Sequence, residues 1–121
     1  MKFEFDNNIP IYIQLVEQLK MYIISGNIKP GERLPSVRDL AFDTKVNPNT
    51  MQKALVELED LKLIYTERTN GKFVTEDKKL IEKYRNQYAL ELSKKYLDSM
   101  KNIGYSMDNA INYLKELGGN K

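Results

Sequence analysis

The chain has no cysteine, no histidine and no tryptophan among its 121 residues. Without cysteine there is no disulfide, no thiol nucleophile and no thiolate metal ligand. Without histidine the commonest general base at neutral pH is missing, and with it any Ser-His pairing. The usual zinc sites need one or the other. No apolar run approaches the roughly 18 residues that a membrane span requires. The start, Met1-Lys2-Phe3-Glu4-Phe5-Asp6, is acidic and polar-interleaved, unlike a signal peptide. The expectation is a cytoplasmic protein without membrane contact, metal or cofactor, and not an enzyme. Carboxylate or lysine chemistry survives these exclusions in principle. However, no Asp or Glu pair is framed by a motif that needs it, and such residues are mostly solvated.

A strong excess of either charge is also missing. Nineteen Lys and Arg face 17 Asp and Glu, for a net charge of +2. Residues 1–77 hold 10 basic against 12 acidic side chains, and residues 78–121 hold 9 against 5. Total charge therefore gives weak support for a nucleic-acid partner, and any such case rests on where individual charges sit. The hydrophobic fraction of 41% and charged fraction of 30% suit one small folded domain with a helical extension.

Residues 1–8 read as an extended arm. Pro10 suits the first position of a helix, and Tyr12, Leu15, Val16, Leu19, Tyr22 and Ile23 then recur at helical spacing. Ser25-Gly26-Asn27 ends that helix, and Ile28 to Arg33 read as a turn around Pro30-Gly31. Ser36 caps a short second helix, with Asp39 placed as in a capping box, and Asp43-Thr44-Lys45 form the turn after it. Asn47 caps a third helix with Pro48 at its first position; Met51, Ala54, Leu55, Leu58 and Leu61 form its buried stripe. Leu63 to Glu67 and Lys72 to Val74 read as two strands joined through Asn70-Gly71, a strong hairpin signal. The fold class is mainly α with a small β-hairpin: a winged helix-turn-helix over residues 1–76.

Residues 77–121 read as a two-helix dimerisation extension. Ile81, Tyr84, Tyr88, Leu92, Tyr96, Met100 and Ile103 step by three or four along one long helix, with Lys and Glu between them. Gly104 ends it and Ser106 caps a last helix carrying Met107, Ala110, Ile111, Leu114 and Leu117. The end of the chain, Gly118 to Lys121, is expected to fray. Little of the chain is left to cover the long stripe, so a second copy is the expected cover. Packing back on the same chain is the alternative.

In a helix-turn-helix the second helix of the motif enters the major groove, and its first residues meet base edges. Here that turn carries Asn49, Thr50, Gln52 and Lys53. Asn and Gln can bond adenine bidentately, and Lys can reach guanine acceptors. Arg38 lies on the first turn of the preceding helix, and Arg68 and Lys72 flank Gly71 at the wing tip. Each residue has a plain structural reading too. Ser36 and Asn47 are caps in any protein, and polar residues on a helix face are commonly solvated. Their coincidence at two helix starts and a wing tip is what favours DNA.

Pro30-Gly31-Glu32-Arg33-Leu34-Pro35-Ser36-Val37-Arg38-Asp39-Leu40-Ala41, Val46-Asn47-Pro48-Asn49-Thr50, Leu58-Glu59-Asp60-Leu61-Lys62-Leu63-Ile64 and Gly71-Lys72-Phe73-Val74 are collinear with one known pattern. Segment 10–74 resembles the DNA-binding domain of the GntR family of bacterial transcription regulators, with a recognition-helix start like that of its YtrA-type branch. The resemblance implies base or phosphate contacts for Arg38, Asn47, Asn49, Thr50, Gln52, Lys53 and Gly71. Ser36, Arg68 and Lys72 become phosphate contacts. Two departures stand out: many relatives have Arg or Ser where this chain has Gln52 and Lys53, and often Gly where it has Lys62. Most members carry a large metabolite-binding domain. The branch instead has a short two-helix tail used for dimerisation, which matches the 45 or so residues after the wing. The implied function is a homodimeric repressor on an inverted-repeat, double-stranded DNA operator, controlling an ABC transporter operon and its own gene. No effector can be named from the sequence. The alternative is a winged-helix protein-interaction module that reads no bases.

Overall fold

Apolar residues at helical spacing set the first helix of the computed structural model, which describes residues 1–119. This helix, α1 (Ile11–Ile24), buries Leu15, Val16, Leu19, Ile23 and Ile24. Pro10 sits one position earlier than the sequence suggests. It is the cap, at φ −53° and ψ 134°, and not the first helical residue. Helix α2 (Val37–Thr44) is capped by Ser36, whose Oγ accepts the Asp39 N–H at 3.1 Å. It runs through Asp43 and Thr44, which the sequence assigns to a turn; the Thr44 hydroxyl donates to the Leu40 carbonyl at 2.7 Å. Lys45, at φ 58°, then reverses the chain. Asn47 caps α3 (Pro48–Asp60) by accepting the Asn49 N–H at 2.8 Å.

The core forms where these three helices meet the hairpin. Met51, Ala54, Leu55 and Leu58 of α3 are completely buried against Leu15 and Leu19 of α1 and against Leu40 and Ala41 of α2. No polar or charged residue is buried among the described residues. Strands β1 (Ile64–Glu67) and β2 (Gly71–Val74) pair antiparallel, with Ile64 opposite Val74 and Glu67 opposite Gly71. Arg68, Thr69 and Asn70 form the three-residue loop between them. The segment read from sequence as a plain turn is also part of this sheet. Arg33 bridges Phe73, the Leu34 N–H donates to the Lys72 carbonyl at 2.8 Å, and the Val74 N–H donates to the Glu32 carbonyl at 2.9 Å.

The N-terminal arm is bound, by a device that sequence periodicity does not show. Gln14, Gln18 and Tyr22 stand at successive i, i+4 positions on α1. Each uses one side chain to hold both the N–H and the C=O of one arm residue. The pairs are Gln14 with Asp6, Gln18 with Glu4 and Tyr22 with Lys2, at 2.5 to 3.2 Å. Two residues of an extended chain advance by about 6.6 Å and four residues of a helix by about 6 Å. The two repeats therefore stay in step over three rungs. The intervening Phe3 and Phe5 face the core cluster, and Phe3 lies 5.5 Å from the Tyr22 ring.

Helix α4 (Lys78–Asn102) starts at Asp77, whose carboxylate accepts the Leu80 N–H at 3.1 Å. Contacts divide the chain within this helix. One unit covers residues 1–84, and the other begins at Arg85. The boundary expected at 76/77 falls just before α4, whereas contacts group the first turns of α4, to Tyr84, with the winged helix. Within the second unit, α5 (Met107–Gly118) is capped by Ser106 and Asn109, which form a reciprocal capping box. The Tyr96 hydroxyl donates to the Ala110 carbonyl at 2.7 Å, and the Tyr105 and Tyr113 hydroxyls meet at 3.2 Å. Of the end expected to fray, Gly118 lies in α5 and Gly119 caps it. Asn120 and Lys121 lie outside the described residues.

Two predictions follow from the local geometry. Gln18→Ala removes both bonds to Glu4 and should lower unfolding free energy by about 1–2 kcal/mol. Denaturant unfolding, with faster hydrogen exchange at the Glu4 amide, checks it; an unchanged midpoint and exchange rate would count against the ladder. Lys62 adopts φ 66°, a left-handed conformation that costs a side-chain-bearing residue about 1 kcal/mol. Lys62→Gly should therefore stabilise the domain by up to about 1 kcal/mol in the same assay.

Candidate nucleic-acid interface

The buried stripe of α3 determines which of its side chains are left for a partner. With Met51, Ala54, Leu55 and Leu58 turned inward, Asn49, Gln52 and Lys53 are exposed and Thr50 is half-buried. The Asn47 side chain is committed to its cap, as is that of Ser36 on α2. The side-chain amides of Asn49 and Gln52 bond no other described residue. The same is true of the Arg38 guanidinium, which is exposed on the first turn of α2. Lys53 differs: its ammonium lies 4.5 Å from the centre of the Tyr12 ring, a cation–π contact that draws it back over α1. Tyr12 has its phenol pKa raised, first by desolvation and then by its hydrogen bond to Glu57.

A second group gathers at the wing. Ser36, Arg68, Gly71 and Lys72 line one groove of about 270 Å³ between the start of α2 and the hairpin. The structure thus brings Ser36, at the start of α2, beside the three wing-tip residues. They do not have equal freedom. The Lys72 ammonium is 2.9 Å from a Glu59 carboxylate oxygen, and its side chain is only 16% exposed. Thr66 donates to the same carboxylate, and Lys72 also reaches the Thr66 hydroxyl at 2.9 Å. The Thr66 and Lys72 hydrogen bonds hold the Glu59 carboxyl below its usual pKa. Lys72, expected at a phosphate, is here engaged by Glu59 and Thr66 and ties the end of α3 to the hairpin. Arg68 is exposed and has no such partner among the described residues.

Arg33 was not singled out by sequence reasoning, yet it lines this groove. A Cβ placed on Gly71 would stand 3.2 Å from its Nε and 3.4 Å from one terminal nitrogen. Gly71 itself has φ 103°, which side-chain-bearing residues rarely adopt. The signal that could have found Arg33 is its position: it immediately precedes Leu34-Pro35-Ser36, so it must lie beside whatever the start of α2 faces.

The stripe on the long helix is divided between different surroundings. Ile81 is 4% exposed, and Tyr84 packs on the core with its hydroxyl 3.3 Å from the Leu61 carbonyl. Ile81 is thus buried within its own chain, and Tyr84 is partly buried against the core cluster. Tyr88 and Met100 are half-buried, and Tyr96 is held by α5. Leu92 and Ile103 remain 60% and 70% exposed. Beside Tyr96, a depression of about 230 Å³ is lined by Leu97, Met107, Ala110, Ile111 and Leu114.

Comparison with known proteins identifies the family. Residues 11–74 match the bacterial regulatory proteins of the gntR family. The helix-turn-helix-type transcriptional regulator YhcF of Bacillus subtilis (strain 168) is 31% identical over 115 residues, covering 95% of either chain. The transcriptional repressor YtrA of the same organism is 34% identical over 113 residues, covering 92% of this chain and 86% of its own. A solved GntR family regulator from Listeria monocytogenes superposes with a TM-score of 0.85 at 39% identity, covering 93% of this chain and 98% of the other. The chain belongs to the GntR family, in its YtrA-type branch: it is a transcriptional regulator with a DNA-binding winged helix, and not an enzyme.

Proposed function

We propose that the chain is a homodimeric repressor that binds an inverted-repeat operator. The observation that carries this reading is the set of unpartnered polar side chains, Arg38, Asn49 and Gln52, at the starts of α2 and α3. Their donors and acceptors are held outward by a fully buried stripe, so they can meet base edges with little rearrangement. Arg68 and the wing supply backbone contacts that fix register and carry no sequence information. The similarity to the repressor YtrA over nearly the whole chain supports the sign of regulation. The branch resemblance supports an ABC transporter operon and the chain's own gene as targets.

The second unit supports a two-fold dimer. It leaves Leu90, Leu92, Ile103, Leu114 and Leu117 between 51% and 84% exposed, a large apolar area for two helices. A second copy with the same surface would cover it by two-fold symmetry. That symmetry matches two half-sites about one DNA turn apart.

The reading is tested by competition between a palindromic duplex from upstream of the protein's own gene and random DNA. A preference of at least 100-fold is expected. Equal affinity would overturn the operator reading and favour a winged helix that binds another protein. Arg38→Ala should weaken operator binding about tenfold or more while leaving the thermal midpoint unchanged, because the residue is exposed. Loss of folding in that variant would contradict the role assigned. Leu92→Asp should shift the sedimenting species from dimer to monomer at micromolar concentration; an undisturbed dimer would move the interface elsewhere.

A further inference from the structure

We propose that Arg33 anchors a DNA phosphate: its guanidinium, lying across the space left by Gly71, holds one backbone phosphate together with Arg68 in the groove between the start of α2 and the wing. The inference rests on the DNA-binding reading above and adds a residue and a site to it.

The backbone of Arg33 is held before any ligand arrives. Its backbone is in the bridge to Phe73, and both neighbours are bonded to β2: the Leu34 N–H to Lys72, and the Glu32 carbonyl to Val74. Its side chain then runs along the hairpin, within 3.4 Å of where a Gly71 Cβ would stand. A long cationic side chain laid on a rigid surface loses less freedom on binding than one waving in solvent. The guanidinium nevertheless has no acceptor among the described residues, and it is exposed. An arginine positioned this closely and left without an anion can turn its planar guanidinium to two oxygens of a phosphate.

The surrounding charges point the same way. Three cationic side chains line the groove: Arg33, Arg68 and Lys72. Lys72 is neutralised by Glu59, so Arg33 and Arg68 are the two left for an anion. The one carboxylate lining the groove, Glu67, accepts a hydrogen bond from the Asn70 side chain at 2.9 Å, within the wing loop. A Cβ at position 71 would also press on the guanidinium, which would have to give by a few tenths of an ångström.

The test is a salt titration of binding to two labelled duplexes of equal length, the operator and a random sequence, for wild type, Arg33→Gln and Arg33→Lys. Arg33→Gln should weaken both duplexes by about tenfold and leave their ratio unchanged. The slope of log K against log salt should become shallower by about 0.9 for each protomer bound. Arg33→Lys should restore the slope, and both variants should melt like wild type. An unchanged slope in Arg33→Gln, or a loss confined to the operator, would overturn the proposal. A wild type that binds both duplexes equally would overturn the operator reading alone, since the slope comparison still decides Arg33. A wild type that binds neither would overturn both.

Discussion

Complete burial of Met51, Ala54, Leu55 and Leu58 fixes the rotation of α3 about its own axis. Four side chains at positions 51, 54, 55 and 58 fill one face of the helix, so the residues between them have only the opposite face to occupy. The cap at Asn47 and Pro48 fixes the other variable, the point along the chain where the helix starts. Together these two constraints decide that Asn49 and Gln52 stand free at the first turns. A helix rotated by one residue would bury one of them without a partner, at a cost of about 1–3 kcal/mol.

The other elements serve that placement. Helix α1 supplies the opposing wall of the core and also carries the arm ladder, so its outer face is engaged by residues 2, 4 and 6. The hairpin is joined to α3 by Glu59, Thr66 and Lys72, and to the start of α2 by the backbone bonds around Arg33. The wing and the start of α2 are therefore positioned by shared strand geometry. In this arrangement charge is used sparingly: among the described residues Lys72 and Lys53 have partners, and Arg33, Arg38 and Arg68 do not. The N-terminal part of the chain carries no net positive charge, yet it presents three unpartnered arginines.

Local features were legible in the sequence and distant ones were not. The caps Ser36, Asn47 and Ser106 were readable because a cap and its N–H partner lie two or three residues apart. The helix stripes and the winged-helix class followed from periodicity and from Asn70-Gly71. The arm ladder escaped because Gln14, Gln18 and Tyr22 look like a solvated face until an extended segment is laid along them. The Lys72–Glu59 pair and the approach of Arg33 to Gly71 join residues 13 and 38 positions apart, and only the folded chain brings them together. The stripe of α4 was correctly seen as apolar. Periodicity says that such a face is covered but not by what: Tyr84 packs on the core of its own winged helix, and Ile81 is buried within its own chain.

The central claim is that the free polar face of α3, set by its buried stripe, reads sequence. The most direct measurement is selection of bound duplexes from a fully randomised DNA pool by the wild-type protein at physiological salt. The account predicts enrichment of an inverted repeat with half-sites about 10 base pairs apart. A bound pool with no enriched sequence would contradict it.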